Sequence, residues 1–249
     1  DKNTKQIKIG DNSYKGIIVF DLETIWFTGN IILSYFLYVW YDTVYLLKYS
    51  HPEFKNFFDR KDIAEGDFMW DVSMSFPNLE KMCKYWIDNG FLISWHNILS
   101  FDNKKMVEDI TQDKIVQTQW KEKLDRISLD TLDILMQAGY GRLWLDFLSK
   151  INFDFGKNIK KWDDKTLMDT ILLIQNIINL PEWERKERII KKEFNTIHKF
   201  IAYNKNDVLM SMGLLGQLIQ YWMLATGKKI AKINIKEVLK QNNQKYNSL

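Results

Sequence analysis

Gly16-Ile-Ile-Val-Phe20 runs directly into Asp21-Leu22-Glu23-Thr24. A short β-branched apolar run reads as a buried strand, and a strand that ends in carboxylates reads as one edge of a site in an open α/β sheet. Alternation along an extended chain points Asp21 and Glu23 to the same side. Two anions held that close repel each other unless a cation sits between them, and hard divalent ions such as Mg²⁺ or Mn²⁺ prefer oxygen ligands. Standing alone, an acid-X-acid at a strand end is more often a turn or a helix cap, so the rest of the chain has to decide.

Further along, Ile31 to Tyr41 and Thr43 to Lys48 are aromatic and β-branched runs with little but Asp42 between them, the pattern of a hairpin or meander beside the first strand. Phe76-Pro77-Asn78 opens a helical pattern through Met82, Tyr85, Trp86 and Ile87, and Asn89-Gly90 stops it. Phe91 to Trp95 reads as a fourth strand and Ser100 to Ile110 as a helix behind it. Arg126 to Met136 is expected to supply a fifth strand, although its Leu and Met content fits a helix as well. A last long helix from about Asn195 to Leu224 carries Ile197, Ile201, Val208, Met212, Leu215 and Ile219 on one face.

With 249 residues, 46% of them hydrophobic and ten of them Trp, the chain can bury a substantial core, and it excludes a disordered polypeptide. The formal charge of +3 is too mild to decide on a nucleic-acid partner. Cys83 is the only cysteine, and no Cys/His set has zinc-ligand spacing, which fits a reducing, cytoplasmic setting with Cys83 in the core. The longest apolar stretch, Ile31 to Tyr41, is interrupted by Ser34 and falls short of the roughly 18 residues that a membrane span needs. The chain begins at Asp1 rather than Met, as expected of a processed product or a piece of something longer.

Two more segments join the acids of the first strand. In Trp95-His96-Asn97-Ile98-Leu99-Ser100-Phe101-Asp102 another apolar strand ends in an Asn and, five residues on, a Phe-Asp pair, where Asp102 could equally cap a helix. In Tyr203-Asn204-Lys205-Asn206-Asp207 a phenol and a carboxylate stand at i and i+4, on one face of the long helix. The bland reading of that segment is a solvated helical face with a half-buried Tyr. His96 is expected to be a hydrogen-bonded structural residue rather than a ligand.

These three segments, in this order, resemble the three motifs of the DnaQ-like, or DEDD, exonuclease superfamily: Asp-X-Glu, Asn-X2-3-Phe-Asp and Tyr-X3-Asp. Tyr203 marks the DEDDy branch. Asn97-X3-Phe-Asp102, Leu145-Asp146 and Gly156-Lys157 are most similar to the proofreading exonucleases of family B DNA polymerases and their stand-alone relatives. The resemblance covers roughly residues 16 to 222; residues 16–224 would form the exonuclease domain, with 1–15 as an N-terminal extension and 225–249 as a basic tail.

The resemblance implies an RNase H-like mixed sheet of five strands flanked by helices, and a metal-dependent 3′–5′ exonuclease that releases nucleoside monophosphates from a nucleic-acid strand. Asp21, Glu23, Asp102 and Asp207 would hold two Mg²⁺ or Mn²⁺ ions, Asp21 bridging them. Tyr203 would orient the attacking water, and Leu22, Thr24, Asn97 and Phe101 would line the pocket for the terminal nucleotide. Partners would be a single-stranded DNA or RNA 3′ end and a polymerase or other protein, the strand being helped along by the tail and by Arg185, Lys186, Arg188, Lys191 and Lys192. Two rivals stay open. An inactive RNase H-like module would bind nucleic acid or protein without cutting. A haloacid-dehalogenase phosphatase would use Asp21 as nucleophile, but such enzymes carry a second Asp and a Gly where this chain has Glu23 and Thr24.

Overall fold

The structure, a computed structural model, describes residues 6–9, 11–24, 31–40, 43–50, 78–145, 147–148, 168–173, 176, 180–181, 183–184 and 194–221. A small hairpin of β1 (Ile7–Ile9) and β2 (Asn12–Tyr14) precedes the main sheet, and Ile7 and Ile9 are buried in the same core as the strands that follow. The sheet is mixed. β3 (Ile17–Thr24), β4 (Ile31–Trp40) and β5 (Thr43–Ser50) form an antiparallel meander. β6 (Leu92–Trp95) then runs parallel to β3, and β7 (Ser128–Asp130) parallel to β6, giving the order β5-β4-β3-β6-β7.

Helices fill the connections. α1 (Leu79–Asp88) leads into β6, and α2 (Asp102–Ile110) with α3 (Lys114–Arg126) bridges β6 and β7. α4 (Thr131–Gln137) leaves β7, and α5 (Phe194–Tyr221) lies across β3 and β4 and reaches β6. Among the described residues, no helix is long and apolar enough to cross a membrane.

The first strand continues through Thr24, still paired with β4, so Asp21 and Glu23 lie on extended chain, as their alternation predicts. One expectation about element limits is corrected. The segment from Arg126 to Met136 contributes only Ser128–Asp130 to the sheet. It turns helical at once because the Asp130 carboxylate accepts the N–H groups of Leu132 at 2.9 Å and Asp133 at 3.3 Å, an N-cap that satisfies donors a strand would have spent on a neighbour. The α1 boundaries follow the expected signals: Asn78 caps its start by accepting from Lys81 N–H, and Gly90 takes a left-handed φ of 68° just past its end. Asp146, Gly156, Lys157, the basic residues between Arg185 and Lys192, and the tail from 225 to 249 lie outside the described residues.

Strand alternation sorts the two faces of β3 and β4. Phe20 pairs with Phe36 and Ile18 with Tyr38, which puts these side chains on one face, under α1. There Phe20 and Phe36 lie 5.8 and 5.4 Å from Trp86 by ring centroid, and the Trp86 indole N–H donates to the Tyr38 hydroxyl at 2.8 Å. A buried indole needs such an acceptor. The same burial pushes the Tyr38 hydroxyl well above the ordinary range of a phenol. Asp21 pairs with Tyr35 on the opposite face, under α5. Both faces are buried, and on the α5 face the polar groups are confined to the carboxyl end of β3, where Asp21 and Glu23 follow Ile17 and Val19.

Where β3 enters the sheet the backbone has no room for a side chain. A Cβ on Gly16 would sit 2.6 Å from the Val39 carbonyl oxygen and 2.8 Å from Cε1 of Phe91, and the carbonyl is fixed in the ladder. Gly16→Ala is therefore expected to destabilise the fold by about 1–3 kcal/mol, as overpacking does elsewhere. A denaturant titration with an unchanged midpoint would contradict this placement.

Candidate functional site at the carboxyl edge of the parallel strands

The two parallel neighbours β3 and β6 point their carboxyl ends to one edge of the sheet, where open α/β sheets place their sites. Asp21 and Glu23 occupy the last turns of the β3 pleat, two residues apart on one face. Glu23 is 6% exposed and Asp21 half-buried. Their common orientation is fixed by one side chain from α5. The Asn204 amide nitrogen donates to Asp21 Oδ2 at 3.1 Å, to the Asp21 carbonyl at 3.1 Å and to Glu23 Oε1 at 3.3 Å, while its oxygen accepts the Tyr35 backbone N–H at 2.9 Å. Asn204 thus joins strands β3 and β4 to the helix that carries Tyr203 and Asp207.

That helix is not a solvated face at this point. Asn204, Lys205, Asn206 and Asp207 are all buried, and only Tyr203 is half-buried. Four consecutive polar residues in a buried turn cost free energy unless each finds a partner. Asn204 finds its partners in β3 and β4, and the Lys205 ammonium lies 5.1 Å from the centroid of the Tyr35 ring.

Asp102 reaches the same edge from the other side. The pairing of β3 with β6 runs from Ile17 to Val19, opposite Leu92 to Ser94, and β6 ends one residue later at Trp95. Beyond this pairing the Asp102 carboxylate accepts the backbone N–H of Leu22. Asp102 is 2% exposed, and its Oδ1 is buried with no hydrogen-bond partner among the described residues. Burial, and after it the charges of Asp130 and Glu23, push its carboxyl well above the usual carboxylate range. A buried acid that close to other acids is held in a state that a bound cation would relieve.

The loop before Asp102 is held by a residue whose role the sequence does not announce. Asp130, besides capping α4, accepts the backbone N–H of Asn97 at 2.9 Å and of Leu99 at 3.2 Å. Asn97 has φ of 82°, a left-handed conformation that Asn tolerates better than most residues. His96 is structural, as expected: its ring nitrogens lie 3.0 Å from Thr131 Oγ1 and 2.7 Å from the Leu143 carbonyl, and burial lowers its pKa below the ordinary imidazole value. Behind Asp102, the Asn103 amide donates to Asp125 Oδ1 and Ser128 Oγ, both at 2.8 Å, which anchors α2 to α3 and β7.

Asn97 and Asp207 line one cavity of about 290 Å³, together with Leu132, Leu145, Arg142 and Trp144 among others. The structure therefore brings Asp21 and Glu23 together through Asn204, seats Asp102 against Leu22 of the same strand, and sets Asp207 and Asn97 around one cavity. Leu22 is buried, Thr24 follows a register shift at the end of β3, and Phe101 is half-buried at the start of α2. The donor set is all oxygen and suits a hard divalent ion. Among the described residues, however, no three His, Cys, Asp or Glu stand close enough together to hold a metal ion. Asn204 and Asp130 are the two residues that spacing alone passes over. Asn204 lies inside the Tyr203–Asp207 segment, and its signal is an amide in a helical turn with no apolar alternative.

Asn204→Leu is expected to cost about 1–3 kcal/mol in equilibrium unfolding, because it strips a donor from two carboxylates and an acceptor from the Tyr35 N–H. Wild-type stability in that variant would show that the amide bridge does not matter. For Asp102 the raised pKa sets the sign: the group favours the fold when protonated, and this contribution is lost as pH rises from about 4 through the folded value. Asp102→Asn, which stays neutral, is expected to be more stable than the parent at pH 7 in metal-free buffer, the two converging as pH falls below about 4. A gap that widens on acidification would contradict it. No family model and no curated protein matches the chain; its own fold and acids carry the functional reading that follows.

Proposed function

We propose that the protein is a divalent-metal-dependent 3′–5′ exonuclease of the DEDDy type, built on an RNase H-like sheet. The observation that carries this reading is the Asn204 bridge, which joins the Asp-X-Glu strand to the Tyr-X3-Asp helix, with Asp102 of the intervening motif docked on the same strand. The Asn204 bridge and the Asp102 contact link segments from three distant parts of the chain, which supports this reading. The mixed sheet, an antiparallel meander on one side of β3 and parallel strands on the other, supports the RNase H-like assignment.

In this reading Asp21, Glu23, Asp102 and Asp207 hold two Mg²⁺ or Mn²⁺ ions, which when bound supply activation of water and stabilisation of the leaving 3′ oxygen. The protein supplies position. Asn204 keeps Asp21 and Glu23 pointing to the same side before any ion arrives. Tyr203 carries a hydroxyl that can donate a hydrogen bond, and its part is to orient the attacking water. Leu22, Thr24, Asn97 and Phe101 surround the terminal nucleotide, Phe101 offering an aromatic face to its base. Burial of Glu23, Asp102 and Asp207 keeps bulk water from screening these charges.

The spread of the acids in this structure favours one second reading, a module that binds a strand or a protein partner without cutting. Supplying 5′-labelled single-stranded DNA, single-stranded RNA and duplex with Mg²⁺, Mn²⁺ or chelator separates the two. The expected result is a ladder shortening from the 3′ end, abolished by chelator and by Asp21→Ala. Tyr203→Phe is expected to slow cleavage about 10²-fold while Mn²⁺ affinity is unchanged, since only the orienting hydroxyl is lost. Strand binding with no shortening in either metal would favour the non-catalytic module, and an equal loss of Mn²⁺ affinity in Tyr203→Phe would remove the role assigned to the phenol.

A further inference from the structure

The cavity that Asp207 and Asn97 share opens toward a pair of residues that neither the fold nor the proposed chemistry uses. Trp144 lines it and is 67% exposed, and the Arg142 guanidinium carbon lies 5.3 Å from the centroid of the Trp144 ring. Isolated exposed aromatics are common and need no explanation. This one stands at the mouth of a concave site, with a guanidinium already held against its ring. Arg142 is the one permanently charged cation among the described residues lining the cavity, and Leu132 and Leu145 supply apolar wall. An indole plane, a guanidinium and an apolar wall together match an aromatic base linked to a phosphate. At about 290 Å³ the cavity falls at the low end of ligand sites, a size suited to one nucleotide rather than a base pair.

We propose that Trp144 and Arg142 form a single-strand subsite: the indole stacks on an unpaired base, and the guanidinium holds the phosphate of the same nucleotide. A base inside a duplex has both faces covered by its neighbours and cannot stack on Trp144, so the subsite selects an unpaired end and delivers it toward Asp207. The setting rests on the exonuclease reading, but the binding itself requires no cleavage.

The test is anisotropy binding in EDTA with short 5′-fluorescein-labelled oligothymidylate, oligouridylate and a blunt duplex, over a range of salt. The parent is expected to bind single strands more tightly than duplex. Trp144→Ala should weaken single-strand binding about ten-fold, and Trp144→Phe should restore most of it. Arg142→Ala should lower the slope of log affinity against log salt by roughly 0.7, the mark of one lost phosphate contact on a single strand, whereas Trp144→Ala leaves that slope alone. The thymidylate and uridylate arms tell which sugar is accepted. Parental single-strand affinity in both Trp144→Ala and Arg142→Ala, a preference for duplex, or no strand binding at all would overturn the subsite. Parallel metal-dependent digestion separates the two readings. Shortening whose KM ignores both substitutions keeps the nuclease and removes the subsite, and substitution-sensitive binding without shortening does the reverse.

Discussion

A side-chain amide set between two carboxylates and a strand N–H is the contact on which the rest of this structure turns. Asn204 contributes both donor and acceptor, and it does so from the middle of a helix of 28 residues to strands β3 and β4. Like charges two residues apart on one face of a strand repel, and in a buried setting water does little to screen them. The amide dipole answers that repulsion without cancelling it, since Asn carries no charge. The acids are therefore held in order by an uncharged group from the helix.

The geometry around this contact follows from the short length of β6. It pairs with β3 only from Leu92 to Ser94 and ends at Trp95, short of the backbone N–H of Leu22. Asp102 takes it. A backbone vacancy created by topology is filled by a side chain from the next motif, and the acid is drawn to the edge where Asp21 and Glu23 already stand. The opposite face, with Phe20, Phe36, Tyr38 and Trp86 in contact under α1, contains no such compromise and fixes the sheet on which the acids are displayed.

Much of this was legible in the residues. The β-branched run from Ile17, the paired aromatic runs either side of Asp42 and the Asn78 and Asn89-Gly90 boundaries of α1 are local signals, and the elements they announce are present. The spacing of Tyr203 and Asp207 placed them on a helix, but their burial was not readable, because it depends on β4 lying opposite. The pairing that carries β3 through its acids, Asp21 with Tyr35 and Glu23 with Leu33, was not readable either, since the propensity of Asp or Glu does not announce it. Asp130 was hidden for the same reason. In a segment rich in Leu and Met it looks like an ordinary polar residue, and its bonds to Asn97 and Leu99 cross more than thirty positions of chain.

Asp130 also links two regions that would otherwise come loose separately. One carboxylate holds the first turn of α4 and the backbone of the loop after β6, so neither can open without exposing the donors of the other. The loop that presents Asn97 and the helix behind the cavity accordingly share a single opening free energy. Removing this one carboxylate would leave backbone donors bare in both the cavity wall and the loop before Asp102.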